Sequence, residues 1–180
     1  MPLAGAGAAA AVYFRAFALM NRSDLPFETR EKHPPPDPIN ALLSLGYTMA
    51  TNEIRGLAEG IGLEPHIGFF HQIDYGRPSL ALDLVEPFRS ALVDRLTLRL
   101  VNERVFTAGD FAQRLIGPGA GGVVLQPDAF KRYLEQYESA VSECRKTAPR
   151  GVREAWREDI QKLARALRGG APFEPFREVD

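Results

Sequence analysis

At 180 residues, with 45% hydrophobic and 25% charged residues and a formal net charge of −1, the chain lies in the ordinary globular range and can bury a continuous core. Its single cysteine, Cys144, excludes an internal disulfide and a cysteine-built metal site, and points to a reducing, cytoplasmic setting. No run of 18 or more apolar residues exists, which excludes a helical membrane span, and the near-zero charge leaves nucleic-acid binding to be decided by where Lys and Arg cluster.

The alanine-rich opening MPLAGAGAAAAVYF has no basic stretch before its apolar run and soon meets Arg15 and Arg22, so it reads as the first helix of the fold and not as a secretion signal. Helical spacing covers 8–20, with Tyr13, Phe17 and Met20 toward the core and Gly5 and Gly7 fraying the start. The prolines of REKHPPPDP forbid a helix and make 21–37 a surface connection. Pro38 then opens the clearest helix of the chain, in which Ile39, Leu42, Leu43, Tyr47, Ala50, Ile54, Leu57 and Ile61 recur at helical spacing. Gly60 or Gly62 supplies its left-handed end.

Residues 65–77 contain Gly68, His71 and Gly76 and read as irregular backbone between two long helices. Ser79 is placed to cap the next helix, expected to run to about Asn102, with Val85, Phe88, Leu92, Leu96 and Leu100 as its buried stripe. Asp83, Glu86 and Ser90 fall on another face, and Pro87 should bend the axis directly after Glu86.

A short capped turn is expected at 107–111. The segment RLIGPGAGGVVLQ lacks phosphate-loop spacing and suggests a small hairpin with 123–125 as one strand, or an irregular glycine-rich segment near 115–126. Two further helices follow, 128–146 with Phe130, Tyr133, Leu134, Tyr137 and Val141 inward, and 152–167 with Trp156, Ile160, Leu163 and Leu167 inward. Between Lys131 and Arg168 ten basic residues meet six acidic ones, a surplus that fits either a DNA-facing surface or two solvated helix faces. The tail GGAPFEPFREVD is expected to lie as a strap over 169–180, with Phe173 and Phe176 against the body. The fold class is therefore mainly α, a compact helical domain with at most one small hairpin.

Asp83 and Glu86 stand three apart in a helical frame, so their carboxylates project to one side, and the preceding loop delivers the imidazole of His71. Two carboxylates suit Mg²⁺ or Mn²⁺, and an added imidazole shifts the preference toward Mn²⁺ or another transition metal. The spacing alone is not diagnostic: His71 reads equally as a hydrogen-bonded structural histidine, and Asp83 as a charge favoured by the helix dipole. Asn40 and Tyr47 could orient the site loop or simply pack, and Arg77 and Arg89 could hold phosphate oxygens or pair with Asp74 and Glu86.

The combination GL-x-P-x-x-G-x-x-H, here residues 62–71, followed by PSLALDL-x-E-PFR resembles the helical C-terminal domain of the CRISPR-associated integrase, the metal-dependent endonuclease of spacer acquisition. The likeness begins at DPINALLSLGYTMATNEIRGLAEG, continues past GGVVL into the closing helices and covers nearly the whole chain. It implies that His71 and Glu86 bind Mg²⁺ or Mn²⁺, with Asp83 a further acid at the site. It also implies attack of a DNA 3′-hydroxyl on a repeat phosphate, cleavage of branched or single-stranded DNA, homodimers, and a second CRISPR-associated subunit as partner. Where the family opens this domain with Gly-x-Glu-Gly and a tyrosine, AGAGAAAAVY puts Gly7 and Tyr13 in register but Ala4 at the first glycine and Ala6 at the metal-binding glutamate. The family's β-rich N-terminal domain, which carries much of its dimer contact, is not in this sequence. A catalytically silent DNA-binding or assembly domain is the alternative that Ala6 and the basic surplus suggest.

Overall fold

The computed structural model describes residues 4–72, 74–115, 121–143, 148, 150–169 and 172–177, with side chains from residue 8 onward. Among the described residues the α-helices are α1 (Ala4–Met20), α2 (Pro38–Gly60), α3 (Ser79–Val85), α4 (Arg95–Asn102), α5 (Pro127–Ser142) and α6 (Val152–Leu167). One antiparallel hairpin, β1 (Phe111–Leu115) and β2 (Gly121–Leu125), pairs Phe111 with Leu125 and Leu115 with Gly121. The fold is thus mainly α with a small antiparallel hairpin, as its sequence suggests. Cys144 and residues 116–120 lie outside the described residues.

The chain divides into two compact units, one of Met1–Leu45 with Arg95–Glu135, the other of Gly46–Asp94 with Gln136–Asp180. In the first unit, Phe14 and Phe17 of α1 are buried and meet Phe27, at ring separations of 6.4 and 5.2 Å. Tyr13 and Met20, expected inward, are exposed instead. The inward face of α1 is centred on Phe14 and Phe17, which cluster with Phe27. The connection before α2 is held by Asn40, whose amide group donates to Thr29 O (2.9 Å) and Asp37 Oδ2 (2.7 Å) and accepts from Glu31 N (2.9 Å) and Arg30 Nη1 (2.9 Å). Tyr133 of α5 is fully buried and donates to Leu42 O at 3.3 Å. The capped turn expected at 107–111 forms as a 3₁₀ turn, Ala108–Asp110, with Thr107 and Asp110 exchanging side-chain and backbone bonds.

In the second unit, α2 ends with Gly62 at φ 81°, where Leu63 N–H reaches Ala58 O (3.0 Å) and Gly62 N–H reaches Glu59 O (3.0 Å). These two bonds complete a left-handed helix end that only glycine adopts without strain. Phe88 packs edge-on against Trp156 of α6 and stacks on Phe176 at 4.3 Å. Arg153 of α6 bridges Glu53 of α2 (2.7 Å) and Glu138 of α5 (2.7 Å), so one guanidinium ties three helices together. Trp156, Ile160 and Leu163 are buried as their spacing predicts, whereas Leu167, Phe130 and Leu134 are exposed. Among the described residues no helix is long and apolar enough to cross a membrane.

The helical run from Ser79 to Asn102 changes pitch in the middle. After α3 it tightens to a 3₁₀ turn, Glu86–Phe88, widens to a π turn, Arg89–Asp94, and resumes as α4. Pro87 explains the first change: it has no N–H for the α-helical bond and its ring crowds the carbonyl four residues back. The π turn then inserts one residue, which sets Arg89 and Asp94 one above the other. Despite the change, Val85, Phe88, Leu92, Leu96 and Leu100 all remain buried.

Candidate metal centre

The loop before α3 lies against the start of that helix. Pro65 O accepts from Leu80 N–H (2.9 Å), and Ser79 Oγ donates to Gln72 O (2.9 Å). Ser79 is therefore the first helical residue and clips the loop, in place of the expected capping role. Gly68 makes the approach possible: a β-carbon there would lie 2.6 Å from Asp83 Oδ2 and 2.8 Å from the Ser79 backbone.

Asp83 is the anchor of this arrangement. Its Oδ2 accepts from the backbone N–H of Phe69 (2.6 Å) and Phe70 (3.0 Å), and its Oδ1 from the N–H and the ring Nδ1 of His71 (2.9 and 2.6 Å). Its side chain is 0% exposed, so it does not share a solvent face with Glu86 as the helical wheel predicts. The wheel places Asp83 correctly on α3, but the loop folds over it and supplies the donors that make burial tolerable. Burial pushes the Asp83 carboxyl up, yet the bonds from Phe70, the His71 ring, His71 N–H and Phe69 outweigh it and hold the group below its ordinary value.

An ionised Asp83 can only accept, so the proton between Asp83 and His71 sits on Nδ1, and in the neutral ring Nε2 is the nitrogen that keeps a lone pair. This carboxylate-to-imidazole bond is the arrangement that orients metal-binding histidines. Both carboxylate oxygens are already committed, which makes Asp83 an orienting group and leaves it poorly placed to ligate.

Glu86 begins the 3₁₀ turn, about half exposed at 49%, and its Oε1 accepts from Arg89 Nη1 at 2.6 Å. Of the two readings of Arg89, the pair with Glu86 is the one formed in the absence of DNA. The Arg89 guanidinium also lies over the ring of Tyr47, 4.3 Å from its centre, and Tyr47 in turn donates to Asp94 Oδ1. Burial holds the Tyr47 phenol well above its ordinary range, with Asp94 adding to the effect, so it stays a neutral donor. Tyr47 thus supports Glu86 through Arg89. All four hydrogen-bonding positions of the Asn40 side chain are filled by residues 29–37. Arg77 is exposed and closes the turn Asp74–Arg77, in which Gly76 takes φ 69°.

His71, Asp83 and Glu86 line one cavity of about 380 Å³, together with Phe69, Phe70, Leu84, Pro87, Asp159, Phe173 and Pro175. Asp159 carries no signal in the sequence that would single it out: it is buried, and its Oδ2 accepts from Phe176 N–H at 2.5 Å, which fastens the tail segment to α6. Among the described residues, no three His, Cys, Asp or Glu side chains converge closely enough to cage a metal ion. The donors present, an oriented imidazole and an exposed carboxylate at one cavity, are of the right chemistry for a divalent ion but amount to two ligands. Ala6 lies in α1, and alanine has no donor atom to offer.

The basic surplus of the last two helices is largely paired: Lys131 with Asp128, Arg132 with Asp110, Arg150 with Glu158, Arg157 with Glu154 and Lys162 with Asp159, besides Arg153. That pattern is closer to solvated helix faces than to a DNA-binding stripe. Arg145 and Lys146 lie outside the described residues.

Compared with known proteins, residues 4–139 match the family described as CRISPR associated protein Cas1. The chain is 41% identical over 175 residues to the CRISPR-associated endonuclease Cas1 3 of Thermus thermophilus, covering 94% of this chain and 51% of that protein. It is 44% identical over 172 residues to the CRISPR-associated endonuclease Cas1 2 of Rhodospirillum rubrum, covering 91% and 48%. Among solved structures, a chain of a Cas6-RT-Cas1–Cas2 complex superimposes with a TM-score of 0.86 at 27% identity, over 97% of this chain and 19% of that one. The chain spans about half the length of the two relatives.

Proposed function

The chain belongs to the CRISPR-associated Cas1 family, and from that membership we propose that it is the helical, C-terminal catalytic part of such a protein, a divalent-metal-dependent DNA endonuclease and integrase of spacer acquisition. The observation that supports this reading is the Asp83–His71 hydrogen bond, which orients an imidazole that lines the same cavity as Glu86. His71 Nε2 and Glu86 are the groups that would hold Mg²⁺ or Mn²⁺, and Asp83 holds the ring in its tautomer and orientation. A bound divalent ion supplies charge stabilisation to the phosphoryl oxygens and lowers the pKa of a bound water or hydroxyl. The chain's own residues supply the rest: Gly68 lets the loop approach, Asp83 fixes it, and Phe69 and Phe70 wall the cavity.

With alanine at position 6, one charged ligand of the family's set is missing, so affinity should fall severely; loss of a mere outer-shell partner already costs about 10–100-fold. Water or DNA phosphate oxygens would complete the coordination. The partners in this reading are branched or repeat DNA, a second copy of the full-length protein, and a second adaptation subunit, the place that Cas2 takes in the Cas6-RT-Cas1–Cas2 complex. The alternative, a catalytically silent DNA-binding or assembly domain, is favoured by Ala6 and by the lack of a three-ligand cluster among the described residues.

Mn²⁺ titration of the wild type, Glu86→Ala and His71→Ala tests the reading, with weaker binding expected in both variants. Ala6→Glu should restore Mn²⁺-dependent cleavage of branched DNA. Equal Mn²⁺ binding by all three proteins, together with salt-dependent DNA binding in EDTA, would favour the silent domain instead.

A further inference from the structure

The π turn does more than rejoin two helices. It aligns Arg89 and Asp94 on one face, where Tyr47 meets both: its hydroxyl donates to Asp94, and its ring carries the Arg89 guanidinium at 4.3 Å. Over that ring, Arg89 keeps one nitrogen on Glu86 Oε1 at 2.6 Å. Exposed arginines rarely hold one geometry, because the side chain gives up about 2 kcal/mol of rotamer freedom. Here the stacking ring and a side chain only 25% exposed fix it.

We propose that Arg89 is a resident counter-ion of Glu86 which couples loading of the metal to the arrival of substrate phosphate. The proposal rests on the assignment of Glu86 as a metal ligand. Without DNA, the guanidinium occupies one Glu86 oxygen and places a positive charge one carboxylate away from the cation. Both effects oppose binding of a divalent ion, and even under water-like screening the repulsion is of the order of tenfold in affinity. Phosphate is a better partner for the planar guanidinium fork than a single carboxylate oxygen. A phosphate drawn to Arg89 therefore neutralises it and frees Glu86, so DNA and metal strengthen each other's binding, as linkage requires. Such coupling keeps a weak two-ligand site empty until a substrate is present. Arg89 is a positioning residue in this scheme; it acts through Glu86.

The test compares the wild type with Arg89→Gln, Arg89→Met, which keeps an apolar stem over Tyr47, and Glu86→Ala. Mn²⁺ affinity is measured by electron paramagnetic resonance without DNA, and the affinity of a branched DNA with and without Mn²⁺ by fluorescence anisotropy. Glu86→Ala should weaken Mn²⁺ binding. Both Arg89 variants should bind Mn²⁺ about tenfold more tightly than wild type and should lose the Mn²⁺ enhancement of DNA binding. Should Glu86→Ala weaken the site while neither Arg89 variant strengthens it, the counter-ion role is wrong and the metal assignment stands. Should Glu86→Ala bind Mn²⁺ as the wild type does, the metal assignment is refuted and the coupling with it.

Discussion

Asp83 carries more of the site than any other single side chain. Four donors converge on its two oxygens, three of them backbone N–H groups of consecutive loop residues. Asp83→Ala would strand those donors, and hydrogen bonds to a charged group contribute about 1.5–3 kcal/mol each at most, so a net loss of roughly 2–4 kcal/mol is expected by urea unfolding. A loss under about 0.5 kcal/mol would mean that water replaces the carboxylate without cost. The pH dependence has a definite sign. The folded state holds Asp83 below its ordinary value, so it binds fewer protons than the unfolded chain there, and the stabilisation is complete above a pH of about 4. It is lost as the pH falls through the depressed folded value. Asp83→Asn should flatten that acid limb relative to the wild type, and superimposable limbs would count against a special role for this carboxylate.

At the scale of elements, the contact between the 65–77 loop and α3 depends on Gly68. An added methyl would lie far inside van der Waals distance of both Asp83 Oδ2, which its donors pin in place, and the Ser79 backbone. Gly68→Ala is therefore expected to cost about 1–3 kcal/mol and to displace the loop that carries His71. The displacement should appear as changed amide chemical shifts at Phe69, Phe70 and His71 in a heteronuclear correlation spectrum. Unchanged shifts would show that the loop accommodates the methyl. The glycine of the GL-x-P-x-x-G-x-x-H pattern is thus explained by close approach rather than by a positive φ. Pro87 is legible from sequence as a bend, but the π turn after it is not: it presents Arg89 and Asp94, five residues apart, to the distant Tyr47, whose ring carries Arg89 and whose hydroxyl donates to Asp94.

For the molecule as a whole, each compact unit is built on an aromatic cluster. The first relies on aromatic packing, Phe14, Phe17 and Phe27 with Phe106 and Tyr133, while the second adds the ion bridge of Arg153 between Glu53 and Glu138. The bridge is partly exposed, so Arg153→Ala should cost only about 1 kcal/mol and lower Tm by about 2–4 °C, with a smaller difference at high salt. No Tm change at low salt would show the bridge to be incidental.

Periodicity alone located α2, the buried stripe through Phe88 and Leu100, and α6, because apolar spacing reports directly which face of an element leaves water. The motif around His71 and Glu86 likewise marks the candidate site in the sequence itself. Tertiary structure decided what periodicity does not encode: that Phe14 replaces Tyr13 in the core, that Asp83 is buried beneath a loop, and that Arg89 answers Glu86 while Asn40 serves residues 29–37. A polar side chain goes where its partners are, and those partners come from 12 to 14 residues away for Asp83, a separation at which helical spacing carries no information.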